Sequence, residues 1–118
     1  AYVLLTGETM RLIPQRMIGQ HRRLGVIQVD EEQPPLELYD WFEGDPEQIR
    51  RLKAETKAQF EAAVAAFEQG RFYEAREGFV AVVRKNRFDL AAQIYFYESD
   101  RLYQQGADDT WNQALRIS

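Results

Sequence analysis

The sequence predicts an α+β chain in which a short β-hairpin and small-helix element precedes a unit of three helices. Two changes of pattern carry this. Up to Phe42 apolar residues alternate in short runs, as half-buried strands require, and from Ile49 onward they recur at steps of three and four, as an amphipathic helix requires. The punctuation Glu43-Gly44-Asp45-Pro46 separates the two regimes and divides the chain into residues 1–44 and 45–118.

Taken in order, residues 2–5 read as a short buried strand. Thr6 caps a small helix over 8–13, with Glu8 favourably near its N-terminus, and Pro14 ends it. Residues 24–29 form a second strand with Leu24, Val26 and Gln28 on one face. Residues 36–42 form a third, in which Leu36, Leu38 and Asp40 alternate with Glu37, Tyr39 and Trp41. The segment 30–35 joins them as a hairpin loop, where Pro34 and Pro35 withhold two backbone donors. Asp45 is the expected N-cap of the first long helix and Pro46 its first helical residue.

That helix carries Ile49, Leu52, Thr56, Phe60, Ala63 and Phe67 on one stripe, and Gly70 stops it. A second helix places Phe72, Ala75, Phe79 and Val82 on one face, with Arg84 and Lys85 complementing the dipole in its last turn. Residues 86–88 turn the chain. Asp89 caps a third helix holding Leu90, Ile94, Tyr97 and Leu102 and ending near Gly106, and residues 114–117 form a short extended piece after Trp111. Ala63 and Ala75 are small where the helices cross, and Ile49, Leu52, Phe60, Phe67 and Phe72 are the expected central packing.

Composition narrows the function. The chain has 118 residues, room for one domain or two subdomains sharing a core. Its net charge of −4, with signs interspersed, argues against a nucleic-acid binder. It has no cysteine, hence no disulfide, thiolate metal site or cysteine nucleophile, which fits a reducing, cytoplasmic setting. No apolar run reaches the roughly 20 residues of a membrane span. The opening on an apolar run without methionine reads as a piece of a longer protein.

The pattern over 56–89 resembles one tetratricopeptide repeat: Ala63 midway along its first helix, Gly70 at the turn, then Phe72, Ala75, Phe79 and Val82. Ala66 stands where the family favours tyrosine and Arg87 where it favours proline. The third helix resembles a capping helix. Because such arrays usually need about three units to bury their faces, the exposed face calls for cover from the N-terminal part, a second chain or a ligand.

The N-terminal part carries a second resemblance. Tyr2-Val3-Leu4-Leu5-Thr6-Gly7-Glu8-Thr9 resembles a strand–helix segment near the end of class III adenylate/guanylate cyclase domains. Arg23-Leu24-Gly25-Val26-Ile27-Gln28-Val29 and Pro35-Leu36-Glu37-Leu38-Tyr39 resemble the closing hairpin of those domains. Asp30, Glu31 and Glu32 replace the family's lysine-glycine-lysine loop, and an acidic loop repels a triphosphate, so no nucleotide-binding residue carries over. The combination resembles multidomain, cyanobacterial-type cyclases. The resemblance implies that the two metal-binding aspartates and the transition-state asparagine and arginine lie upstream of Ala1, which leaves this segment catalytically silent.

Of single residues, His21 beside Arg22 and Arg23 reads as a solvated loop residue with no nucleophile to serve. The acidic loop lacks calcium-loop spacing and reads as a solvated turn. Arg50, Arg51, Lys53 and Lys57 are interleaved with Glu47 and Glu55 as a solvent face, Glu47 pairing with Arg51. By repeat spacing, Phe60, Val64 and Phe67 face the groove that tetratricopeptide units use for partners, so they are the partner-binding candidates if the chain does not cover that face. No catalytic, metal or cofactor residue is indicated. The expected function is a non-catalytic regulatory or protein-interaction segment of a cyclase-like signalling protein, binding a protein partner or itself, including as a homodimer. Two alternatives stay open: a structural part of the cyclase domain bracing its active site across a dimer, and a free-standing helical scaffold without cyclase ancestry.

Overall fold

The computed structural model describes residues 2–117 and is α+β, as the change of periodicity predicts. Strand β1 (Val3–Thr6) leads into helix α1 (Gly7–Leu12), and a single 3-10 turn precedes β2 (His21–Gln28). After β3 (Leu36–Trp41) come α2 (Glu47–Glu68), α3 (Phe72–Lys85) and α4 (Leu90–Gln105), and then a two-residue strand β4 (Leu115–Arg116). The sheet order is β1-β3-β2-β4. The first three strands are antiparallel to their neighbours, and β4 lies parallel to β2 through the pairs Ile27–Leu115 and Gln28–Arg116.

The hairpin forms where its sequence places it. Asp30 Oδ1 accepts from the N–H groups of Glu32 and Gln33 at 2.8 and 2.9 Å, an Asx turn that satisfies the loop backbone locally. Thr6 caps α1 by accepting from the Thr9 N–H. The expected N-cap of α2 does not form. Pro46 occupies that position without a side-chain bond, because the Asp45 carboxylate is held 2.8 Å from Lys53 Nζ instead. At its other end α2 closes in a Schellman motif: Arg71 N–H donates to Ala66 O and Gly70 N–H to Phe67 O, with Gly70 at φ +78°.

Three expectations about faces are corrected. Residues 2–5 were expected to be buried, but Val3 and Leu4 of β1 are about half exposed, because β1 is an edge strand. In β2 a bulge falls between Arg23 and Gly25, so the alternation breaks there, and Leu24 and Ile27 face the core in place of Leu24 and Val26. Gly25, at φ +110°, makes the bulge possible, and a Cβ there would stand 2.3 Å from the Tyr95 hydroxyl. In α4 the buried stripe is Ala92, Tyr95, Ser99 and Leu102, so of the four predicted residues only Leu102 faces inward. Leu90, Ile94 and Tyr97 point outward, Tyr97 with 71% exposure.

Between the sheet and the helices lies one apolar core of edge-to-face and stacked rings. Phe79 stacks on Tyr95 at 4.6 Å; Phe60 and Phe67 meet Tyr95 edge-on at 6.1 and 5.2 Å. Phe72 and Trp111 extend the cluster to the C-terminal tail. Such ring pairs add about 0.5–1.5 kcal/mol each beyond the area they bury. Ala63 and Ala75 are buried as expected, and α2 and α3 also approach closely at Gly78, where a Cβ would lie 2.8 Å from Ala63 Cβ. Ile49 and Leu52 are only half-buried and stand outside this core, because the first turns of α2 lie before the stretch that carries its core residues.

Candidate functional site

The three partner-binding candidates lie on one face of α2, and the chain covers that face itself. Phe60 and Phe67 are 0% exposed and Val64 is 1% exposed, beneath β2, α3 and α4. Folded this way, they present no surface to a partner.

The residues that join the two halves of the chain are charged. Arg22, in β2, is wholly buried. Its Nε donates to Asp40 Oδ2 of β3 at 3.0 Å, and its two Nη groups donate to the Asp89 carboxylate at 2.6 and 2.9 Å. The guanidinium also lies 4.2 Å from the Phe60 ring centroid, so the apolar core and the ionic cluster share a wall. Lys53, in α2, brings its ammonium 3.0 Å from Asp40 and 2.8 Å from Asp45, over the Tyr2 ring at 4.2 Å. Tyr2 donates to Asp89 and accepts the Ala91 N–H. Asp89 therefore both caps α4, through Ala92 N–H, and anchors it to the sheet.

The electrostatics follow from burial among opposite charges. Burial alone would raise the Asp89 carboxyl, but the Arg22 hydrogen bonds and charge outweigh it and hold Asp89 below the usual carboxylate range. Burial, with Asp89 beside it, pushes the Tyr2 phenol up to about 12. Burial raises Tyr95 as well, and its hydroxyl stays a donor to Leu24 O at 2.6 Å. Asp40 Oδ1 is buried without a hydrogen-bond partner among the described residues. The other cations and carboxylates of the cluster are spent on one another, so what it does is fix the sheet against α2 and α4. A second bridge on β2 does the same further along: Arg23 donates to Glu37 of β3 and to both oxygens of Glu68 of α2.

His21 is the first residue of β2, not a loop residue. It is half-buried opposite Trp41, with Nδ1 2.9 Å from Gly19 O. The acidic loop is solvated, and Glu47 pairs with Arg51 at 3.0 Å on the surface, both as expected. Among the described residues no group of three or more histidine, aspartate or glutamate side chains is arranged to hold a metal ion. No described helix is long and apolar enough to cross a membrane.

Sequence reasoning missed the ionic cluster, and the signal was faint. By spacing Lys53 belongs to a solvent face, although it falls one position from the stripe residue Leu52, and Asp40 is one more place in an alternating strand. Gly78 was missed too, although it lies three residues from Ala75, on the side of α3 that meets α2. Compared with known proteins, the chain matches no protein-family model, no curated protein and no solved structure.

Proposed function

We propose that the chain is a non-catalytic regulatory and protein-interaction segment from the C-terminal region of a class III nucleotide cyclase-like signalling protein, working in the cytoplasm. The strand–helix–hairpin order of β1, α1, β2 and β3 supports the cyclase part of this reading, and the Gly70 turn between α2 and α3 supports the tetratricopeptide part. The observation that carries the proposal is the buried Arg22 bridge, which ties β2 and β3 to the start of α4 across residues 67 apart in sequence. A helical unit locked in this way moves with the hairpin as one body. It suits a segment that presents a partner surface in fixed orientation to a neighbouring domain. The test is turnover by the purified chain with ATP or GTP and magnesium or manganese. No cyclic nucleotide is expected, and measurable product overturns the proposal.

One feature favours a second reading, in which the segment braces a cyclase site across a dimer. The outer edge of β1 pairs with no strand among the described residues, and Val3–Thr6 carries no charge that would discourage pairing. This reading predicts self-association, and monomeric elution at high concentration would count against it.

A further inference from the structure

An apolar cleft of about 400 Å³ opens where the start of α2 meets the turn between α3 and α4. Its lining is Tyr2, Pro46, Ile49, Phe88 and Leu90 with Asp45 and the buried Lys53, which neutralise one another at 2.8 Å. Phe88 and Leu90 are 66% and 52% exposed, large apolar side chains that the fold leaves facing water.

Two arginines that flank this cleft have no carboxylate partner among the described residues, although the chain as a whole is acidic. Arg87 lies 4.9 Å from the Phe88 ring centroid and makes no ion pair among the described residues. Arg50, next to Ile49, reaches only the Glu43 carbonyl. The start of α2 adds donors, since Pro46 provides no side-chain cap and the N–H groups of Glu47, Gln48 and Ile49 meet no side-chain acceptor among the described residues.

We propose that this cleft docks an extended acidic peptide segment of a protein partner, with one apolar anchor side chain between Phe88, Leu90 and Ile49 and its carboxylates against Arg87, Arg50 and the α2 N-terminus. Apolar walls with a cationic rim suit a segment that alternates carboxylates with a large apolar residue. A nucleic acid would need a longer cationic track, and here Glu47 and Asp45 interrupt it. The inference rests on reading the chain as an interaction segment and names the chemistry of its partner.

The probe is a fluorescein-labelled synthetic peptide with a central phenylalanine–leucine pair between runs of glutamate, titrated with the whole chain and read by fluorescence anisotropy. Saturable binding is expected, weakening at least about tenfold between about 50 mM and 500 mM salt as the charges are screened. Arg87→Glu is expected to weaken binding about tenfold or more through like-charge contact. Phe88→Ala should weaken it at both salt concentrations. Both side chains are exposed, and far-UV circular dichroism checks that each variant keeps its fold. The proposal is overturned by any of four results: no binding, equal binding of the matching lysine peptide, binding indifferent to both variants, or preferential binding of a labelled single-stranded oligonucleotide. Sedimentation showing that a second copy of the chain fills the cleft and competes with the peptide overturns it as well. If the peptide fails to bind and the chain makes no cyclic nucleotide, the docking site falls while the non-catalytic reading stands.

Discussion

Where α2 packs on α3, and both pack on α4, the contact is made by Phe60, Phe67, Phe79 and Tyr95 with Ala63 and Gly78 admitting close approach. Where the sheet meets the start of α2 and α4, the contact is made by Arg22, Lys53, Asp40 and Asp89. Both junctions exclude water, but they tolerate different errors. The apolar one loses contact area in proportion to what is removed. The ionic one fails asymmetrically: deleting Arg22 leaves Asp89 buried without a cation, although Asp40 keeps Lys53. The helical unit thus tolerates gradual change, whereas its attachment to the sheet rests on buried charges, Arg22 foremost, with Lys53 and Arg23 bridging alongside it.

The largest effect that would break this comparison is at Arg22. Arg22→Ala is expected to destabilise by about 3–5 kcal/mol in urea unfolding, since Asp40 and Asp89 stay buried. A loss below about 1 kcal/mol, the ceiling for an exposed pair, would mean that the cluster is open to water. Phe67→Ala, at the centre of the ring cluster, is expected to cost a similar amount, about 3–5 kcal/mol, through lost burial and a cavity.

Titration separates the two. The folded-state carboxyl of Asp89 is held below its unfolded value, so its contribution is present above the ordinary carboxylate pKa of about 3.9 and is lost as pH falls through the folded value. The stability gap between wild type and Arg22→Ala should therefore narrow as pH falls below about 4, while the gap for Phe67→Ala holds constant. Parallel curves for both variants would remove the distinction. A smaller effect is expected at the helix crossing. Gly78→Ala would gain about 0.5–1 kcal/mol of helix propensity but lose about 1–3 kcal/mol to the clash with Ala63, a net destabilisation that thermal unfolding would register. Smallest is Glu47→Ala, which removes an exposed pair with Arg51 and should change stability by less than about 0.5 kcal/mol.

The same contrast explains what was legible in the sequence. Periodicity reports apolar faces, so α2, α3, the Gly70 turn and the hairpin could all be read from spacing. A buried arginine leaves no periodic trace, because its partners are up to 67 residues away. The face of α4 was misread for a related reason. Leu90, Ile94 and Tyr97 are its most apolar stripe, but its rotation is set by Asp89 on Arg22 and by the Tyr95 hydroxyl on Leu24 O, two polar contacts made at long range. The partner candidates Phe60, Val64 and Phe67 were placed on the right face of α2. Spacing left three candidates for the cover over that face, the N-terminal part, a second chain or a ligand, and in the fold β2, α3 and α4 supply it.

Strand β4 bears on how the body is assembled during synthesis. On the ribosome, β2 emerges ahead of the helices and can pair with β3 at once, but its other flank stays bare until Leu115 and Arg116 have left the exit tunnel. Trp111, which completes the ring cluster beside Phe72, arrives only shortly before them. Closure of the whole body therefore waits on an element made after all the others it joins, and a nascent chain stalled before that point would display a raw strand flank to its neighbours on the same message.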